Sequence, residues 1–269
     1  MSSSKGASVA DYPVEPQSIP ELKLAKAGYS VRFATSPAEL KSVQQLRFEV
    51  FNLELGEGLE ESYKTGRDQD RFDAYCHHLM VLDANDEVIG TYRMQTDEMA
   101  ANHIGYYSAD EFDLSRMPRN LLDNSVEVGR ACVAKPFRNR YVLFLLWCGL
   151  AAYMTHNRKR YLFGCCSLTS QDPDEGRRVM DYLRAAGHVR SDFRIEPRPD
   201  WRCYDAGEPP ASTLPEGKIE LPKLFSLYLR YGAQVCGPPA IDRCFKTIDY
   251  LVVLDVERLG ADARKTFFA

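Results

Sequence analysis

Glu127 is the residue with the clearest chemical potential in this 269-residue chain. It lies in SVEVGRACV (residues 125–133), an acidic and a basic side chain set into an otherwise apolar, strand-like run. In a regular strand Glu127, Gly129 and Ala131 share one face, and Val126, Val128 and Arg130 share the other. A carboxylate beside Gly and Ala leaves space for a ligand against bare backbone. The plain alternative is a surface Glu127–Arg130 ion pair, which opposite faces disfavour unless a bulge intervenes.

Other charged residues also interrupt apolar patterns. Arg47 and Phe51 sit one turn apart beside the stripe Leu40, Val43, Leu46, Val50 and Leu53, and Arg93 falls within VIGTYRMQT. A polar stretch from 57 onward ends in a dense acidic group, Asp68, Asp70 and Asp73. Arginine within an apolar element needs a partner or a ligand. Arg47 pairing with an acidic loop residue, and fixing it, is one reading of that need.

The elements that must position these residues are well signalled. Residues 1–27 lack periodicity and read as a flexible N-terminal arm. YSVRFA (29–34) alternates, and Ser36-Pro37-Ala38-Glu39 is a capping box opening a helix that ends near Gly56. HHLMVLD (77–83), a turn and VIGTYRMQT (88–96) form a hairpin. Residues 141–156 are long and apolar enough for a buried helix, and YLFGCCS (161–167) reads as a buried strand. Strand, helix and strand in succession imply a right-handed parallel crossover, with a ligand site where the strands diverge. DPDEGRRVMDYLRAAG makes a further helix closed by Gly187. Residues 195–217 are Pro-rich and irregular, FKTIDYLVVLDV (245–256) is a final strand, and 259–269 forms a tail. The main domain spans 28–258.

Composition excludes several classes. The chain is 45% hydrophobic and 27% charged with net charge −4, so it is globular and lacks the basic excess of a general nucleic-acid binder. No run approaches the ~18 apolar residues of a membrane span, and the first residues lack a signal-peptide core, so a cytoplasmic location is expected. The eight Cys show no C-x-x-C pair and read as buried thiols, and the five His are scattered, so no metal is expected.

LRFEVFNLELG (46–56), DQDRFDAYCHHLMVLD (68–83), VIGTYRM (88–94), VEVGRACV (126–133), LFLLWCGLAAYM (143–154), RYLFGCCS (160–167) and YLRYGAQVCGPPAIDRCFKTIDYLVVLD (228–255) resemble, in order and spacing, the ornithine N-acyltransferase group of the GNAT superfamily. Long-chain N-acyl amino acid synthases and acyl-homoserine-lactone synthases are more distantly similar. The resemblance implies a mixed α/β fold: a mainly antiparallel sheet with a splayed parallel strand pair, flanked by helices, plus a C-terminal extension. It also implies transfer of a 3-hydroxy fatty acyl group from acyl carrier protein to the α-amino group of ornithine, giving a lyso-ornithine lipid in a bacterial cell.

That chemistry needs a deprotonated amine, an oriented carbonyl and a stabilised oxyanion. Glu127 is the expected base, with Arg130 as its catalytic cation, and the backbone of Gly129, Ala131 and Cys132 is expected to polarise the thioester. Glu54, Asp70 and Asp73 suit the substrate's ammonium groups, and Arg47 and Arg93, with Phe51 nearby, its carboxylate. Many superfamily members bind coenzyme A pyrophosphate on a Gly-rich turn, Q/R-x-x-G-x-G/A. Here Arg138-Asn139-Arg140-Tyr141-Val142-Leu143 stands in its place without the small residues. Lys135, Arg138 and Arg140 are expected instead to hold the carrier's phosphopantetheine and acidic surface. No permanently bound cofactor is implied, and a peripheral contact with the inner membrane is expected. Phe144, Leu145, Trp147 and YLFGCC could line an acyl channel or simply form core.

Four other readings compete, the first a long-chain N-acyl amino acid synthase that acylates another amino acid. An acyl-homoserine-lactone synthase would use S-adenosylmethionine, and GPPAIDRCFKTIDY argues for the ornithine group. A catalytically silent carrier-binding protein would keep the fold without needing Glu127. His78 to Asp83 formally matches H-x-x-x-x-D of glycerophosphate-type O-acyltransferases, but five residues along a strand put the two on opposite faces.

Overall fold

The computed structural model describes residues 12–205 and 219–268. These form two compact units, one comprising residues up to 105 with 126–159 and 265–268, the other comprising 106–125 and 160–264. Residues 28–258, expected from sequence as one domain, are thus shared between the two units.

The first unit is built on five strands: β1 (Leu24–Lys26), β2 (Tyr29–Phe33), β3 (His77–Leu82), β4 (Val88–Thr96) and β5 (Ser125–Val133). Each pairs antiparallel with the next. Ala27 and Gly28, both at positive φ (55° and 83°), make the two-residue β1–β2 turn that matches strand twist. The helix Pro37–Phe48 starts at Ser36, whose Oγ accepts from Glu39 N, while Glu39 Oε2 accepts from Thr35 N at 2.7 Å. Its Leu40 and Val43 join Tyr12, Ala34, Met80 and Leu82 in a core cluster. Helical backbone then continues as a wider π turn, Glu49–Glu54, before the chain leaves at Gly56. The long helix Arg140–His156 packs on the sheet so closely that a Cβ on Gly149 would lie 2.4 Å from Leu79. Any larger residue there would have to displace the Leu79 side chain.

Residues 12–27 differ from the arm expected of them. Tyr12 is buried, His77 Nε2 donates to Val14 O at 2.7 Å, and His156 Nε2 donates to Gln17 O at 2.8 Å. Their backbone groups are satisfied by side chains of the sheet and helix, a pairing without sequence periodicity. Residues 1–11 lie outside the described residues.

The second unit pairs β6 (Tyr161–Leu168) antiparallel with β9 (Thr247–Asp255) along eight register positions. Two short strands, β7 (Gln234–Val235) and β8 (Ala240–Asp242), also pair with β9. Asp172 caps the helix Pro173–Ala185, accepting from Asp174 N, and Gly187 follows it at φ 75°. Phe112, Leu114, Phe163, Ile195, Leu251 and Val253 are among its core residues. The irregular stretch expected at 195–217 contains a short turn, Pro199–Trp201, and its remainder from 206 lies outside the described residues. The expected tail instead contains a helix, Ala261–Phe267.

The mixed α/β class read from the sequence is that of the molecule, and the pairings of these strands within each unit are antiparallel. All eight Cys are free thiols. Among the described residues no helix is long and apolar enough to cross a membrane.

Candidate active site

Three arginines and three aspartates meet in the first unit. Arg47, in the last turn of Pro37–Phe48 and fully buried, donates Nε to Asp68 Oδ2 at 2.7 Å and Nη1 and Nη2 to Asp73 at 2.8 and 3.1 Å. Gln44, one turn earlier, adds Nε2 to Asp73 Oδ2 at 3.0 Å. Arg93 of β4 donates to both oxygens of Asp70 at 2.7 Å and to Asp73 Oδ1 at 2.9 Å. Arg130 of β5 reaches Asp70 Oδ2 at 3.1 Å and lies 3.4 Å from Asp68 Oδ2.

The formal charges of this group cancel, which offsets the cost of several kcal/mol for desolvating each ion. Burial alone would raise Asp73, yet the Arg47 and Arg93 guanidiniums hold it well below the ordinary carboxylate range. His78 is pushed down to about 3, chiefly by burial, so its ring is neutral and Nε2–H donates to the Asp73 carbonyl at 3.1 Å. Local sequence explains how the acidic loop comes here. Asp68 N donates to Gln44 O, Asp70 Oδ1 accepts from Phe72 N, and buried Phe72 lies under the Arg93 guanidinium at 5.7 Å.

Arg47, Arg93, Asp70 and Asp73, expected to recognise substrate, are thus in the first place partners of one another. Asp70 has the most exposed side chain of the three acids, 12% against 0% for Asp68 and 2% for Asp73.

Strand β5 departs from regular alternation. Gly129 pairs with Arg93 and Cys132 with Thr91, so Arg130 and Ala131 together oppose Tyr92. Arg130 has φ 48°, the left-handed region that an L side chain rarely adopts. This bulge corrects the faces read from sequence: Glu127, Gly129 and Cys132, not Ala131, stand opposite Gln95, Arg93 and Thr91. It also brings Arg130 to the acidic group instead of leaving it turned away from the other charges. The expected catalytic cation becomes part of the framework around Asp68 and Asp70.

Glu127 is 5% exposed, and its Oε2 accepts from Gln95 Nε2 at 2.6 Å. Gln95 is itself held by the Gly105 carbonyl at 3.3 Å. A Cβ on Gly129 would meet nothing within 4 Å, so the backbone two residues from Glu127 borders open space. A carboxylate of fixed direction beside accessible backbone is suited to receive a proton from a nucleophile attacking a carbonyl held along the strand.

The remaining expected residues fall elsewhere. Phe51 is buried in the π turn, and Glu54 makes a two-pronged pair with Arg138 at 2.7 and 2.8 Å. Lys135, Arg138 and Arg140 are exposed, with Arg140 also donating to Tyr141 OH. At the start of Arg140–His156, Asn139 Oδ1 accepts from Tyr141 N and Val142 N at 2.9 and 3.2 Å. The helix end is therefore capped by its own side chain, where a pyrophosphate would need those donors. Of the candidate channel residues, Leu145 and Trp147 are buried and Trp147 stacks on Phe267 at 5.6 Å, which is core packing. Asp83 accepts from Asn85 N and Glu87 N in the β3–β4 turn, away from any role with His78.

Sequence reading missed Gln95, Gln44 and the anchoring role of Asp68. The signal for Gln95 was its register: two residues after Arg93, on the same face, opposite Glu127 once β4 and β5 are paired antiparallel.

An acetyltransferase (GNAT) domain model matches residues 46–148. An L-ornithine N(alpha)-acyltransferase of Rhizobium meliloti strain 1021 is 32% identical over 254 residues, covering 88% of this chain and 86% of that one. Its counterpart in Brucella abortus strain 2308 is 32% identical over 241 residues, covering 86% and 85%. The solved structure of FeeM, an N-acyl amino acid synthase from uncultured soil microbes, aligns with 88% of this chain and 94% of its own at 13% identity and a TM-score of 0.48. By the identity and coverage of those relatives, this chain belongs to the L-ornithine N(alpha)-acyltransferase family.

Proposed function

We propose that this chain forms an amide between a 3-hydroxy fatty acyl group and the α-amino group of ornithine, drawing the acyl group from acyl carrier protein and giving a lyso-ornithine lipid. The observation that carries the reading is Glu127, buried, aimed by Gln95 and bordered by the open backbone at Gly129.

An α-ammonium group has a pKa of about 8, so near neutrality it must lose a proton before it can attack. Glu127 takes that proton, directly or through one water, a step worth ~10²- to 10⁴-fold in rate. The freed amine adds to the thioester carbonyl carbon, and the backbone N–H groups around the bulge at Gly129, Ala131 and Cys132 receive the oxyanion. As the C–N bond forms the nitrogen loses its second proton. The C–S bond then breaks, the amide carbonyl re-forms, and the thiolate leaves as a thiol with one of the two protons while the other passes to solvent. No enzyme-bound acyl intermediate is needed. Asp70, the most exposed acid of the charge group, faces the second ammonium group of the acceptor, and the remaining arginines and aspartates keep it in place.

The self-capped start of the Arg140–His156 helix supports a carrier protein over coenzyme A as donor. Lys135, Arg138 and Arg140 present positive charge to a carrier's acidic surface, partly balanced by Glu54. The product is amphiphilic, and Leu53, Leu55 and Tyr63, at 61%, 40% and 51% exposure, offer apolar surface for a peripheral contact with the inner membrane.

The test is mass spectrometry of lipids formed from 3-hydroxyacyl carrier protein and a mixture of amino acids, with 3-hydroxyacyl coenzyme A in a parallel reaction. Acylated ornithine from the carrier thioester, weakened by salt, is expected. Absence of any N-acyl product from either donor overturns the reading, and equal turnover with coenzyme A overturns the donor assignment.

A further inference from the structure

The second unit holds another buried acidic centre, and we infer that Glu111, Asp242 and Asp249 form a binding site for one divalent cation of the Ca2+, Mg2+ and Mn2+ class. Glu111 ends the short helix Ser108–Glu111, Asp242 ends β8, and Asp249 lies in β9, where it pairs with Ala240. One potential ligand atom from each lies within 4.8 Å of the others, and all three residues are buried. Two oxygens bound to one such ion at about 2.4 Å are at most ~4.8 Å apart, so the three lie close enough to share it.

Two oxygens of the cluster are also orphaned. Glu111 Oε1 and Asp249 Oδ1 are buried without a hydrogen-bond partner among the described residues, on side chains 0% and 3% exposed. The other oxygens are better served. Asp242 Oδ1 accepts from Cys244 N and Phe245 N at 2.8 Å, its Oδ2 accepts from Tyr107 OH, and Asp249 Oδ2 accepts from Thr247 Oγ1 at 3.1 Å. Glu111 Oε2 lies 3.9 Å from Cys165 Sγ. Tyr107 also serves Glu111, and Ser167 serves Asp249.

Charge separates a cation from the alternative, a proton shared between Glu111 and Asp249. Among the described residues no Lys or Arg forms an ion pair with any of the three. Among three buried carboxyl groups, one shared proton offsets a single charge, whereas a divalent cation offsets two and satisfies both orphaned oxygens. Burial, with Asp249 and Asp242 beside it, pushes Glu111 well above the ordinary range, and burial pushes Asp249 up to about 6. A bound cation would reverse that pressure. Carboxylate and hydroxyl oxygens suit Ca2+, Mg2+ or Mn2+ over softer metals. The ion would fasten the Ser108–Glu111 turn to the β8–β9 hairpin, a structural role. Spacing along the chain conceals such a site, because Glu111 lies far from the other two in sequence.

The full chain, stripped with EDTA and desalted, is titrated with CaCl2, MgCl2 and MnCl2 while heat of binding and melting temperature are recorded. One ion of this class per chain is expected, with Tm rising by about 5 °C once the ion is ~100-fold above its Kd. Glu111→Gln and Asp249→Asn should each weaken binding at least ~10-fold by removing a charged ligand. If either variant fails to fold, the stoichiometry of the natural chain decides alone. Neither heat nor Tm change with any of the three ions up to ~1 mM overturns the inference. So does a Tm that rises only as pH is lowered, the signature of a shared proton.

Discussion

Asp73 and Glu127 are both almost completely buried, at 2% and 5% exposure, yet the chain treats the two carboxylates differently. Asp73 is caged by two guanidiniums and an amide, and its charge is locked. Glu127 is met by the neutral amide of Gln95. A guanidinium cage fixes a charge, whereas an amide fixes a direction. The first arrangement makes an anchor; the second suits the role of base proposed for Glu127. The two lie side by side, since Arg93 and Gln95 are alternate residues of β4, ~7 Å apart along the strand.

The comparison breaks most visibly at Glu127 itself. Glu127→Gln keeps the size and an acceptor for Gln95, so steady-state turnover should fall by ~10²- to 10⁴-fold while Tm and carrier affinity stay near their original values. Unchanged turnover would remove Glu127 from the role of base.

Asp73→Asn should behave in the opposite way. It leaves Arg47 and Arg93 with too little negative charge in a buried setting, and a loss of about 3–5 kcal/mol is expected in urea unfolding. If that variant unfolds no more easily than the natural chain, the charge group is not the anchor described.

Gln95→Leu gives the smallest effect and the sharpest distinction. Loss of one hydrogen bond to a charged group should lower kcat by about 10- to 100-fold, with KM little changed and a smaller stability loss than Asp73→Asn. Gln95→Glu should not rescue it, because two carboxylates would then face each other; Gln95→Asn, which keeps the amide on a shorter arm, should recover part of the rate.

The sequence was legible where periodicity and caps carry the information. The Ser36 and Asp172 caps, the β3–β4 hairpin and the Gly187 stop all appear where their residue types require. Glu127 stood out as a carboxylate in an apolar run, and the structure adds its burial and its Gln95 partner. What could not be read depends on pairing between segments remote in sequence. That Arg47 pairs with the acidic loop was one of two readings, and which aspartates it meets is set only when the loop folds back on the helix; alternation in β5 was counted through a bulge that no residue type announces. The packing of residues 12–18 was invisible for the same reason, because it uses backbone groups that every residue carries.

That bulge makes the reading frame of β5 a matter of counting as well as chemistry. Upstream of Arg130 the strand is in one phase with β4 and downstream in the other. Removing a single residue at 130 or 131 would restore a plain ladder, yet it would also erase the turn that delivers Arg130 to Asp70. A Gly substituted for Arg130 would relax the backbone and forfeit the guanidinium. Point changes along β5 should therefore be tolerated unevenly, whereas one-residue deletions there should be lost from any functional library, even where the deleted side chain does nothing.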